Sequence, residues 1–108
     1  MRTGDTALTG WLDTKGELRL FTSQAAMIAQ SKYPHCVSGV MRENATQHWR
    51  ALRVRRVRVQ GTAYDFNTLP LEIEGYPLAR HVLGGAIITN WCFGPRVILV
   101  DRIELADR

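Results

Sequence analysis

The sequence predicts a mainly β fold, a small five- or six-stranded antiparallel barrel with one or two short helices, built by residues 1–108 as a single domain. Three observations predict it. Polar and apolar residues alternate along 17–21, 56–64 and 96–103, the period of a strand with one buried face. Turn residues rather than long helical runs separate these segments, so βαβ crossovers are not expected. A bent antiparallel sheet of this length removes its open edges by closing on itself.

Each element follows from its residues. Residues 7–12 mix Ala7, Leu8, Trp11 and Leu12 with Thr9 and Gly10 and read as a first strand. Asp13-Thr14-Lys15-Gly16 is a hairpin turn closed by glycine. In 17–21, Leu18 and Leu20 face the core. Thr22-Ser23-Gln24 offers a helix N-cap, and the Ala25–Ala29 stretch forms a short helix. That helix ends before Tyr33-Pro34, because the residue before proline avoids helical angles. Residues 36–40 read as a third strand with a bulge at Gly39.

A second helix is expected over 42–53. Asn44 is its N-cap, and Ala45, His48, Trp49 and Leu52 share one face. Along 56–64, Val57, Val59, Gly61 and Ala63 share one face, while Arg56, Arg58, Gln60 and Thr62 share the other. Residues 65–77 read mostly as loop, and 85–90 as a short strand. Gly94-Pro95 turns the chain into a last strand over 96–105. Its run Val97-Ile98-Leu99-Val100 implies cover on both faces. The expected core is Leu18, Leu20, Val57, Val59, Ile98 and Val100.

At 108 residues one core can form without a structural metal. A 45% hydrophobic content with 22% charge excludes global disorder. The net charge of +4 implies weak attraction to polyanions, which is not diagnostic of nucleic-acid binding. Cys36 and Cys92 read as unbridged thiols acting as small hydrophobes. The N-terminal residues contain no apolar leader, and the longest apolar run, around 84–88, is too short to span a bilayer. The expectation is a cytoplasmic protein without a membrane partner.

Four short pieces carry a family resemblance. They are Thr9-Gly10-Trp11-Leu12, Leu18-Arg19-Leu20-Phe21, Val57-Arg58-Val59-Gln60-Gly61-Thr62 and Val97-Ile98-Leu99-Val100-Asp101-Arg102-Ile103. A strand leading into V-x-V-x-G-T and a closing strand ending D-x-I resemble bacterial single-domain proteins with an oligonucleotide/oligosaccharide-binding (OB) type barrel. The resemblance implies the OB-like barrel. It implies no functional residue, since these motifs mark strands, and the long insert over 65–80 departs from a minimal barrel.

The densest chemical feature is Arg50, Arg53, Arg55, Arg56 and Arg58, five arginines within nine residues. A planar guanidinium binds two oxygens of a phosphate or carboxylate at once. OB-type barrels hold single strands by combining such charge with aromatic platforms, and Trp49 and Tyr64 flank the run. The competing reading is a solvated strand face paired with Glu43, Glu72 and Glu74. Trp91 and Phe93, beside a turn, are either an exposed anchor for a partner or core residues closing the barrel. His35, His48, His81, Cys36 and Cys92 lack metal-ligand spacing. Asp13, Glu17, Asp65 and Asp101 are scattered, and Gly84-Gly85 lacks the lysine and context of a phosphate loop. The sequence therefore predicts a non-catalytic, cofactor-free binding protein. Its expected partner is acidic, either single-stranded nucleic acid or the surface of a protein that it inhibits or neutralises.

Overall fold

Leucine and valine at every second position set the strands, and the turn chemistry sets where they reverse. In the computed structural model, which describes residues 2–42, 49–73 and 79–106, β1 (Arg2–Asp13) reverses through Gly16 into β2 (Leu18–Phe21). Gly16 sits at φ +82°, a conformation other residues resist. Ser23 then caps α1 (Gln24–Ala29), its side chain accepting from the Ala26 N–H. β3 (Cys36–Met41) follows, and a single 3₁₀ turn (Trp49–Leu52) precedes β4 (Arg56–Asp65). Three short strands, β5 (Leu71–Ile73), β6 (Ala79–Leu83) and β7 (Ala86–Ile87), lead to β8 (Arg96–Leu105).

Five strands close into a barrel in the order β1-β2-β3-β8-β4, and β4 pairs back onto β1. The all-antiparallel expectation fails at one seam, where β3 and β8 run parallel, Gly39 beside Ile98. The reason is arithmetic. Directions cannot alternate around a closed ring with an odd number of strands, so one pair must be parallel.

The expected core residues Leu18, Leu20, Val57, Val59, Ile98 and Val100 all point inward, joined by Leu12 and Ile103. The step from Val100 to Ile103 is a bulge. Gln60 pairs with Arg102 and Gly61 with Val100, leaving Asp101 as the extra residue. No bulge falls at Gly39. A Cβ there would lie 2.7 Å from the Ile98 carbonyl oxygen, so glycine permits close strand approach.

The second helix expected over 42–53 is, where it is described at Trp49–Leu52, a 3₁₀ turn; residues 43–48, with Asn44, Ala45 and His48, lie outside the described residues. Val97 and Leu99 are buried outside the barrel against Leu69, Leu83 and Ile88, which confirms a strand covered on both faces. The insert over 65–80, with the residues that follow it to Ile88, supplies that cover as the small sheet β5-β6-β7.

The unbridged thiols are also corrected. Cys36 and Cys92, 56 residues apart in sequence, form a disulfide. Cys36 opens β3 pointing outward, and the turn carrying Cys92 folds onto that same outer face. Sequence spacing holds no record of that return.

Candidate binding face

The outer surface of the barrel is unevenly covered. Over β1, β2 and β3 lie α1 and the turn of residues 88–94, packing Phe21, Ala26, Met27, Cys36 and Cys92 together with Trp11 and Trp91 at the margin. Arg19 points outward from β2 into this layer and is 1% exposed. Its guanidinium stands 3.1 Å from Asp13 Oδ2, donates to Gln30 Oε1 at 2.8 Å and lies 4.3 Å from the Trp91 ring centre. A buried cation needs such partners to offset its lost hydration.

Glu17 holds the turn from beneath. Its two carboxylate oxygens accept the Thr89 and Trp91 N–H groups at 3.0 and 2.7 Å, and the Cys92 N–H donates to Ser38 Oγ at 3.0 Å. Burial alone would push the Asp13 carboxyl up. The Lys15 N–H, the Gln30 amide and the Arg19 charge outweigh it and hold the carboxyl below its ordinary value.

Among the described residues the outer face is left uncovered along residues 7–9 of β1, 56–60 of β4 and 101–102 of β8. Register sets Arg56 beside Trp11, and Arg58 between Thr9 and Glu104. Gln60 lies between Ala7 and Arg102. Arg50, Arg53, Arg55, Arg56 and Arg58 are all exposed. Arg58 is 3.9 Å from Glu104, which also meets Arg102 at 3.7 Å. Glu104 is thus the acid that meets Arg58 and Arg102, and Asp5 lies further along the same face of β1, beside Thr62; the side chains of Glu43, Glu72 and Glu74, the acids expected to pair with the run, lie outside the described part of the chain. Among the described residues no carboxylate pairs with Arg50, Arg53, Arg55 or Arg56. At the far edge, Asp101 hydrogen-bonds the Arg42 guanidinium and raises its pKa.

Backbone strain sits inside the arginine run. Val54 adopts φ +59°, unusual for a β-branched residue, held by its N–H bond to the Leu12 carbonyl and by the Arg55 N–H bond to Leu52. The kink sends Arg53 and Arg55 out at the end of β4.

The aromatics are not where stacking would need them. Trp49 packs partly against the barrel core, and Arg50 covers its ring at 4.5 Å. Tyr64 lies eight residues along β4 from Arg56, roughly 26 Å at the rise of a strand, and packs under the small sheet. Trp91 and Phe93 divide between the two readings. Trp91 is half-buried over Arg19, whereas Phe93, at φ +61° and 72% exposed, stands out with Lys32 Nζ 4.2 Å from its ring centre.

Sequence reasoning missed Trp11 and Arg102, which register alone brings to the arginine face. It also missed the Glu17 clamp, whose partners are 72 and 74 residues away. Among the described residues no group of three His, Cys, Asp or Glu side chains is placed to hold a metal. No family model, curated protein or solved structure matches the chain.

Proposed function

We propose that the chain is a non-catalytic binding module on an OB-type barrel, and that its uncovered β1–β4–β8 face takes an acidic protein surface. Five-strand closure supports the OB-type reading. One observation carries the partner class: exposed guanidinium groups converge at one end of β4, four of them without a carboxylate partner among the described residues. Guanidinium forks select carboxylates and phosphates alike.

Protein is preferred to single-stranded nucleic acid because neither aromatic that flanks the run in sequence is an open stacking platform, and Trp11, beside Arg56, is half-buried against the Phe21 layer. Trp49 is covered, Tyr64 is remote, and base stacking supplies much of single-strand affinity. The disulfide points the same way, since such bonds persist in oxidising compartments, and it moves the proposed location out of a reducing cytoplasm.

The test titrates wild type and the Arg56→Ala/Arg58→Ala variant with an oligothymidylate and with an oligoglutamate peptide over a range of salt. Binding of the glutamate peptide, weakened in the variant, supports the reading. Preferential binding of the oligonucleotide would return the face to nucleic acid, and equal behaviour of variant and wild type would remove the arginines from the site.

A further inference from the structure

β1 is longer than its neighbour. It pairs with β4 from Arg2 to Trp11, but with β2 only at Trp11, Leu12 and Asp13. The Leu12 N–H donates to the Arg55 carbonyl, which fixes the parity of the ladder. In an antiparallel strand successive residues direct their backbone groups to opposite sides. Leu12, Gly10, Leu8 and Thr6 therefore bond toward β4. Trp11, Thr9 and Ala7 bond away from it. β2 ends at Phe21, opposite Trp11, so among the described residues no strand meets Thr9 and Ala7 on that side.

The space beside them is a cleft of about 270 Å³ walled by Leu8, Leu20, Val37, Tyr33 and Pro95, with Arg96 at the rim. Leu8 lies on the inward-facing side of β1, yet is 36% exposed, because the barrel wall is open there. Proteins commonly guard such an edge with lysine, proline or a bulge. Between Asp5 and Trp11 the sequence Thr6-Ala7-Leu8-Thr9-Gly10 has none of these side chains, and its register with β4 is unbroken.

We propose that β1 binds an extended segment of a partner protein by strand addition along residues 6–10. The segment's inward side chains are apolar and fill the cleft; its outward side chains are acidic. An added strand continues the outer face of β1 and β4. It lies about 10 Å from β4 at ordinary strand spacing, within reach between a long acid and Arg56 or Arg58. Thr9 sits directly beside Arg58 in the register. A second copy of this chain fits less well, because joining two edges would set two arginine faces on one sheet surface of a chain carrying +4. The acidic half of the proposal rests on the arginine-face reading; strand addition does not.

The experiment pans a display library of short random peptides against wild type, Thr9→Pro and Arg56→Ala/Arg58→Ala. The Thr9 N–H faces the open edge, so proline there deletes a donor the fold does not use. Peptides enriched on wild type should alternate apolar and acidic residues. They should bind Thr9→Pro at least about tenfold more weakly, the effect of one lost bond with its partner left unsatisfied. Arg56→Ala/Arg58→Ala should still select the apolar alternation and lose the acidic preference. If the acidic preference survives in that variant, the arginine reading fails and strand addition stands. If Thr9→Pro does not fold, the same peptides are N-methylated in two series, one on each alternating set of amides, and tested on wild type; the series methylated on the set facing β1 should not bind while the other does. No enrichment, equal binding to folded Thr9→Pro, undiminished binding of both N-methylated series, or a wild-type dimer that protects the Ala7 and Thr9 amides would overturn the proposal.

Discussion

On the outer face of β2 and β3 a guanidinium is taken out of water, given a carboxylate, an amide and an indole ring, and sealed under a turn tied by a disulfide. On the outer face of β1, β4 and β8, guanidinium groups of the same chemistry stand in solvent with Glu104 as their acid neighbour. The difference is cover. Arg19 is enclosed by its own chain, with Asp13, Gln30 and the Trp91 ring around it, so no surface of it is left for another molecule. Arg56 and Arg58 are exposed, with Glu104 at 3.9 Å from Arg58 and no carboxylate on Arg56 among the described residues. Equal residue types thus divide into buried structural groups and solvated surface groups according to what the rest of the chain folds over them.

Breaking the covered side should produce the largest effects. Reducing the Cys36–Cys92 bridge, or Cys36→Ser/Cys92→Ser, should lower stability by about 4 kcal/mol, the loop-entropy value for a closed loop of this separation. Denaturant midpoints with and without reductant measure it. Arg19→Ala should cost about 3 kcal/mol, since it strips Asp13 of its charge partner and Trp91 of its packing. A loss near zero would mean that the turn holds without the cation.

Asp13→Asn sharpens the comparison through pH. The folded carboxyl sits below its ordinary value of 3.8, so its contribution is complete above that value and is lost as pH falls through the lower folded value. The variant should be less stable than wild type at neutral pH by about 1 kcal/mol, with the gap closing in acid. A gap that widened toward low pH would reverse the sign. The uncovered side should give the smallest effect: Arg56→Ala/Arg58→Ala should shift stability by under about 0.5 kcal/mol, since exposed pairs contribute little. Thermal melts of the two proteins check it.

The barrel was legible because its signals are local. Alternation at Val57 and Val59 placed the core face and, by the same parity, put Arg56 and Arg58 in solvent. The Ser23 cap and the Gly16 turn were readable for the same reason. What escaped depends on pairs distant in sequence. The disulfide, the Glu17 clamp and the neighbouring of Trp11 with Arg56 come from closure of the barrel and the return of the 88–94 turn. The parallel β3–β8 seam follows from strand number, which alternation within one strand does not encode. Trp49 and Tyr64 were close to the arginines in sequence, yet the turn before β4 and the length of β4 carry them away from an open stacking position.

The central claim is that β1 keeps an unfilled hydrogen-bonding edge beside the arginine face. Residue-resolved amide hydrogen exchange on the free monomer tests it most directly. Thr6, Leu8 and Gly10 should be strongly protected by β4, while Ala7 and Thr9 exchange close to the rate of unstructured chain. Equal protection of both sets along residues 6–10 would show that the edge is already occupied and would contradict the account.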